Sequence, residues 1–289
     1  MGEDLGRRAI LTLRCEDRPG IVHAVAGFLV GEGATILASQ QFNDLETGLF
    51  FMRVEFARAD GASLWVSEVS ARFATVGAGF DMTWRMVDAS ARSRVLILVS
   101  RAKHCLNDLL FRNSIGDLRL DVAAVVSNHP DLGQVADFYD VPYRHIPVSA
   151  GTKQAAEALL WKIVAEDEVE LVILARYMQI LSNDLCDKLN GRAINIHHSI
   201  LPSFKGAKPY HQAHQRGVKL IGATAHYVTA DLDEGPIIEQ QQVAVDHSMS
   251  ADEFVAIGRD VETRVLARAV RWHSENRIIQ NGVRTVVLR

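Results

Sequence analysis

A chain of 289 residues exceeds the usual size of one domain, so two domains are expected. Hydrophobic residues at 48% and charged residues at 23% provide for an ordinary packed core and exclude a largely disordered protein. The net charge of -4, with acids and bases mixed along the chain, gives no reason to expect nucleic acid as a partner and favours a small molecule.

Three cysteines, Cys15, Cys105 and Cys186, show no CxxC spacing, which argues against a disulfide framework and a zinc ribbon. No apolar run approaches the ~20 residues that cross a bilayer. The start, "MGEDLGRR", lacks the apolar core of a secretory signal. A cytoplasmic protein without membrane association is expected.

In chain order, "ILTLR" alternates as a strand does, and "EDRPG" is a turn with Pro19 placed for the first turn of a helix. Ile21, Val22, Val25, Phe28 and Leu29 repeat at helical spacing. "TILASQQF" reads as a second strand and "NDLETG" as a hairpin-like turn. In "LFFMRVEF", Phe50, Met52, Val54 and Phe56 make an apolar face with Arg53 and Glu55 opposite, a strand with one side buried. A helix from about Ser63 to Val76 and the strand "MTWRMV" complete a βαββαβ order, the ferredoxin-like, split-βαβ pattern.

"DASARSR", residues 88–94, is small, polar and aperiodic, and marks a boundary between domains at 1–90 and 91–289. Beyond it, "VLILVS", "DVAAVVSN" and "LVILA" are apolar runs suited to strands buried on both faces, with helical segments between. This predicts an α/β domain with a doubly wound, mostly parallel sheet, which binds ligands beyond the carboxyl ends of its strands. A helix from Asp252 to Ser274 and a last strand in "RTVVL" close the chain.

Two polar islands carry the chemistry. In "AINIHHS" the strand alternation puts Asn195 and His197 on one face at the carboxyl end, while His198 points the other way. "HYVTADLDEG" follows the strand "LIGATAH" and offers Asp231, Asp233 and Glu234 in a loop able to return to the same edge. An amide donor, an imidazole and a carboxylate together suit attack on a carbonyl carbon, so acyl transfer or hydrolysis is the natural reaction class. A metal site is the rival: His211 and His214 form an HxxH on one helical face, but without a clear third ligand. No metal is expected.

"NIHHSILPSFKGAKPYHQA" with "GATAHYVTADLDEGPIIEQ" resembles the formyltransferase family that uses 10-formyltetrahydrofolate, over about residues 94–280. The resemblance implies a formyltransferase-type sheet and catalytic roles for Asn195, His197 and Asp233. It also implies folate binding by "RYMQIL", that is Arg176, Tyr177, Met178, Gln179, Ile180 and Leu181, together with His226 and Val228. No cofactor beyond the folate substrate is implied.

Members of the family that formylate glycinamide ribonucleotide hold its phosphate with a Gly-rich loop after the first strand, on backbone N–H groups. This chain has "SRAKHCLNDLL" there, without glycine. No basic carboxyl-terminal extension of the kind that binds tRNA follows. The extra domain is amino-terminal instead, and its "EDRPGIV" resembles an ACT domain, the regulatory module of many amino-acid enzymes. That arrangement implies the deformylase branch of the family, in which water replaces the acceptor, with formate for purine synthesis and balance of the one-carbon folate pool as its roles. An amino-acid effector and a homo-oligomer are the partners implied. Transfer to a non-phosphorylated acceptor, or a folate or amino-acid sensor without turnover, are the alternatives.

Overall fold

The computed structural model describes residues 8–60, 66–202 and 209–289. The start of the helix expected near Ser63, and the residues 203–208 that follow "NIHHSILP", lie outside the described residues. The chain divides into two compact units, the first running to Ala91 and the second beginning at Arg92.

The first unit contains β1 (Ala9–Glu16), α1 (Ile21–Gly31), β2 (Ala34–Asp44), β3 (Leu49–Arg58), α2 (Val66–Gly79) and β4 (Thr83–Asp88). The strands form one antiparallel sheet in the order β2-β3-β1-β4, the split-βαβ topology. Leu11, Leu13, Phe50, Met52, Val54 and Phe56 pack against Ile21, Val25 and Leu29 of α1 and Val69 and Phe73 of α2. Gly20 caps α1 at φ 99°, a left-handed conformation that a side chain would strain, so the turn requires glycine. Pro19 therefore stands just before the helix rather than in its first turn.

The expectation of a one-sided β3 is corrected. Phe51 and Arg53 are as buried as their neighbours, Arg53 at 2% exposure, because a second layer covers that face. The layer is the end of the chain, residues 275–281 and 285–289, which groups with the first unit and not with residues 92–274 as the expected boundary had it. Arg53 Nε donates to Glu275 O at 3.2 Å, Arg14 Nη1 to Gln280 O at 2.8 Å, and Asn281 Nδ2 to Asp44 Oδ2 at 2.6 Å. The segment contains β12 (Ile278–Asn281) and most of β13 (Arg284–Val287), which pair with each other.

The second unit contains β5 (Ser93–Val99), α3 (His104–Ser114), β6 (Leu120–Ser127), α4 (Gly133–Asp137), β7 (Tyr143–His145), α5 (Lys153–Glu166), β8 (Leu171–Leu174), α6 (Asn183–Lys188), β9 (Ala193–His197), α7 (Pro209–Arg216), β10 (Leu220–Tyr227), β11 (Ile237–Ala244) and α8 (Ala251–Ser274). Its sheet runs β11-β10-β9-β8-β5-β6-β7. The five strands from β9 to β7 are parallel, and β10 and β11 add antiparallel at one edge. Val95 to Val99 are all fully buried, the reason this strand is a continuous apolar run instead of an alternating one. The chain winds outward from β5 to β7 on one side and from β8 to β9 on the other. The order reverses between β5 and β8, where a crevice opens beyond the strand ends. Among the described residues no helix is long and apolar enough to cross a membrane.

Candidate active site

Beyond the carboxyl ends of β8 and β9, three segments surround a pocket of about 350 Å³. Arg176, Tyr177, Met178, Gln179, Ile180 and Leu181 come from the loop after β8, Asn195 and His197 from β9, His226 from β10, and Val228 and Asp233 from the loop after it. Every catalytic and folate-binding residue that the resemblance implies thus lines one cavity. His198 lines it too, against expectation, because the strand ends at His197 and the alternation with it.

The β9–β10 register accounts for the first contact. Asn195 lies directly opposite His226, so their side chains share a face, with Asn195 Nδ2 3.2 Å from His226 Nε2. His226 Nδ1 is 2.9 Å from Tyr227 O, an acceptor only, so this nitrogen carries a proton. Asp233 reaches the same place because its loop doubles back on β10. Tyr227 N donates to Pro236 O at 2.9 Å, and a Cβ on Gly235 would stand 1.8 Å from Tyr227 O, so only glycine permits the approach. Asp233 itself adopts φ 58°, a left-handed conformation that Asp tolerates better than most residues. Asp231 and Glu234, its acidic neighbours, are exposed.

Asp233 Oδ2 is 3.2 Å from His197 Nδ1, and Oδ1 is 3.6 Å from His226 Nε2. Burial works against this carboxylate, but the imidazoles of His197 and His226 more than offset it and hold its pKa well below the ordinary carboxylate range. An ionised Asp233 accepts from His197 Nδ1–H, which leaves His197 Nε2 as the basic nitrogen. That nitrogen is buried and has no hydrogen-bond partner among the described residues. A base of this form, oriented by a carboxylate and adjacent to an amide N–H donor, can take a proton from a nucleophile while the donor stabilises an oxyanion.

Other residues here were not foreseen. Ser100, just past β5, accepts from Met178 N at 2.9 Å, its N–H donates to Arg176 O at 3.2 Å, and its hydroxyl donates to Asn128 Oδ1 at 2.7 Å. The loop after β8 is thereby held at its backbone, and a serine ending an apolar strand was the sequence signal for it. The HxxH pair lies elsewhere: His214 Nε2 is 3.1 Å from Met249 O and its ring packs edge-on against Phe254, a structural engagement.

The formyl transferase family model matches residues 93–270. A formyltetrahydrofolate deformylase of a Corynebacterium species is 52% identical over 98% of each chain, and that of Escherichia coli is 35% identical over 98% of this chain and 99% of its own. The chain belongs to the formyltetrahydrofolate deformylase family. A crystal structure of the deformylase from Burkholderia mallei superposes with a TM-score of 0.93 at 49% identity, covering 98% of this chain and all of that one. Glycinamide ribonucleotide transformylase 1 from Symbiobacterium toebii, by contrast, covers 68% of this chain and 95% of its own, at 32% identity and a TM-score of 0.65. The deformylases share the whole length of this chain, and the transformylase shares only part of it.

Proposed function

We propose that this chain hydrolyses 10-formyltetrahydrofolate to formate and tetrahydrofolate, supplying formate for purine synthesis and balancing the one-carbon folate pool. The observation that carries the mechanism is the buried, unpartnered Nε2 of His197 beside Asn195 and Asp233. Water attacks the formyl carbon as His197 Nε2 takes one of its protons, and Asp233 stabilises the imidazolium that results. The Asn195 amide N–H donates to the oxyanion of the tetrahedral intermediate. The C–N10 bond then breaks, His197 returns its proton to N10, and formic acid leaves and ionises. Asp233 is too weak a base for the first step, since its carboxylate is already stabilised by two imidazoles. The segment from Arg176 to Leu181 forms the folate wall, with Met178 and Ile180 exposing apolar surface at its rim.

We assign the first unit to control, as an ACT-like module. Its strand order and its glycine turn support this reading, and among the described residues none that lines the pocket comes from it. A small amino acid, glycine or methionine, is the effector proposed near the turn from Asp17 to Gly20.

The test is incubation with 10-formyltetrahydrofolate and no acceptor. Formate and tetrahydrofolate are expected in equal amounts, without acceleration by glycinamide ribonucleotide. A strict requirement for an acceptor would return the protein to the transferases, and calorimetry without amino-acid binding at millimolar concentration would end the effector assignment.

A further inference from the structure

Next to the proposed catalytic residues lies a second buried polar cluster that the hydrolytic mechanism does not use. Its centre is Glu262, in the interior of α8 and 1% exposed. Glu262 Oε2 is 2.7 Å from His104 Nε2, at the start of α3, and 3.5 Å from Arg176 Nε. Glu262 Oε1 accepts from the Tyr210 hydroxyl of α7 at 2.8 Å. Removing a carboxylate from water is expensive unless partners surround it, and here three other parts of the chain supply them. The helix is shaped for this: a Cβ on Gly258, one turn before Glu262, would stand 2.2 Å from the Tyr210 ring.

Arg176 joins this cluster to the pocket. Its backbone is at φ 67°, a conformation that glycine adopts freely and arginine only with strain. The long side chain is thus present at a position where the backbone alone favours its absence. It runs to Glu262, and its Nη1 is buried without a hydrogen-bond partner among the described residues. His198 is the other pocket residue beside the cluster, with its ring 6.2 Å from that of Tyr210. His104, Cys105 and Glu262 offer ligand atoms within 4.8 Å of one another, but a guanidinium on the same carboxylate opposes a cation there. Burial and Glu262 also push the Cys105 thiol up, away from the thiolate a metal needs.

We infer that Glu262 is a positioning residue, which holds Arg176 across one side of the pocket so that water, and no larger nucleophile, reaches the formyl carbon. The inference rests on the hydrolase reading. Hydrolysis and transfer share every step except the identity of the nucleophile, and a water molecule needs far less room beside His197 than an amine does. An arginine anchored at a position suited to glycine supplies that restriction.

Hydroxylamine is the probe. Its nitrogen attacks the formyl carbon, the C–N10 bond breaks, N10 gains the proton, and formohydroxamic acid and tetrahydrofolate are the products. The readout is the ratio of formohydroxamate to formate at fixed hydroxylamine concentration, with enzyme-free controls. The full-length Arg176→Gly variant relieves backbone strain and is expected to fold, and its ratio should rise at least about tenfold over that of the unaltered enzyme. Glu262→Gln, which keeps an acceptor for Tyr210, should raise it by a smaller factor, and Glu262→Asp should restore part of the discrimination. A merely structural role would change melting temperature and total turnover without moving the ratio. An unchanged ratio in a folded, folate-binding Arg176→Gly protein overturns the inference, and Arg176→Ala serves as the second variant. If the unaltered enzyme releases no formate without an acceptor, the hydrolase reading fails instead.

Discussion

Two carboxylates of the larger unit, the half-buried Asp233 and the buried Glu262, have surroundings built in opposite ways. Asp233 stands on a loop, in a left-handed backbone conformation, and faces two imidazoles and an open pocket. Glu262 stands in the interior of the longest helix and faces an arginine, a tyrosine and a histidine. Both carboxylates have an imidazole partner, but only Asp233 lines the pocket, whereas Glu262 is also held by a guanidinium and a phenol. The first arrangement is suited to moving a proton and the second to holding a shape. What separates a catalytic from an architectural carboxylate here is therefore access to the pocket rather than the presence of an imidazole beside it.

The sharpest way to break this contrast is Asp233→Asn, which keeps the size and removes the charge. It should lower kcat by about 10²- to 10⁴-fold with folate still bound. Because His197 and Asp233 act as one unit, the double variant His197→Ala, Asp233→Asn should be no slower than the worse single one, and additive losses would mean separate roles. Asn195→Ala removes the oxyanion donor and should lower kcat by roughly 10²- to 10³-fold. Next comes Ser100→Ala, which takes from Met178 N its acceptor. Of the two hydrogen bonds that its hydroxyl makes, the loss of the one to the loop, ~0.5–1.5 kcal/mol, should appear as a roughly 2- to 10-fold rise in KM with kcat nearly unchanged. A fall in kcat alone would place Ser100 in the chemistry.

The pH dependence of stability sharpens the contrast further. Burial, reinforced by Arg176, lowers the His198 pKa to about 3, so the ring is neutral in the folded protein. In the unfolded chain it binds a proton below about pH 6.5. The unfolded state thus binds more protons between pH 6.5 and 3, and folded stability falls as pH is lowered through that window. Asp233 has a depressed pKa, so its own contribution is present above the unfolded carboxylate value of about 3.9 and is lost only at lower pH. Melting temperatures from pH 7 to pH 4.5 should decline, and His198→Gln should flatten that decline. The smallest effects are expected from His214→Ala, within about twofold in kcat, and from chelators, which should leave activity unchanged. Loss of activity on chelation would reopen the metal reading.

The elements with a single dominant pattern were legible before the structure. β1 alternates, β5, β6 and β8 are unbroken apolar runs, and the turn at Gly20 announces α1. Less was visible where pairing depends on the backbone alone. β11, "IIEQQQVA", carries three glutamines and lies at a sheet edge, and β7 has only three residues. The second layer over Arg53 was hidden because the group that accepts from it is 222 residues away. At the site, Asn195 and His197 follow from strand alternation, and the return of Asp233 depends on Gly235, whose need shows only once Tyr227 O is beside it. Glu262 reads as one more acid on a helix. Its partners His104 and Tyr210, 158 and 52 residues away, are what give it meaning.

The layer over Arg53 also bears on how the molecule is made. Nascent chains emerge from the amino end, and domains generally fold as they leave the ribosome. Here the first unit's sheet cannot be covered until residues 275–281 are translated, because Glu275, Gln280 and Asn281 supply the groups that meet Arg53, Arg14 and Asp44. Until then Arg53 lacks its Glu275 acceptor. A transcript cut short after the codon for Ser274 would encode every residue that lines the pocket and still leave the first sheet half covered.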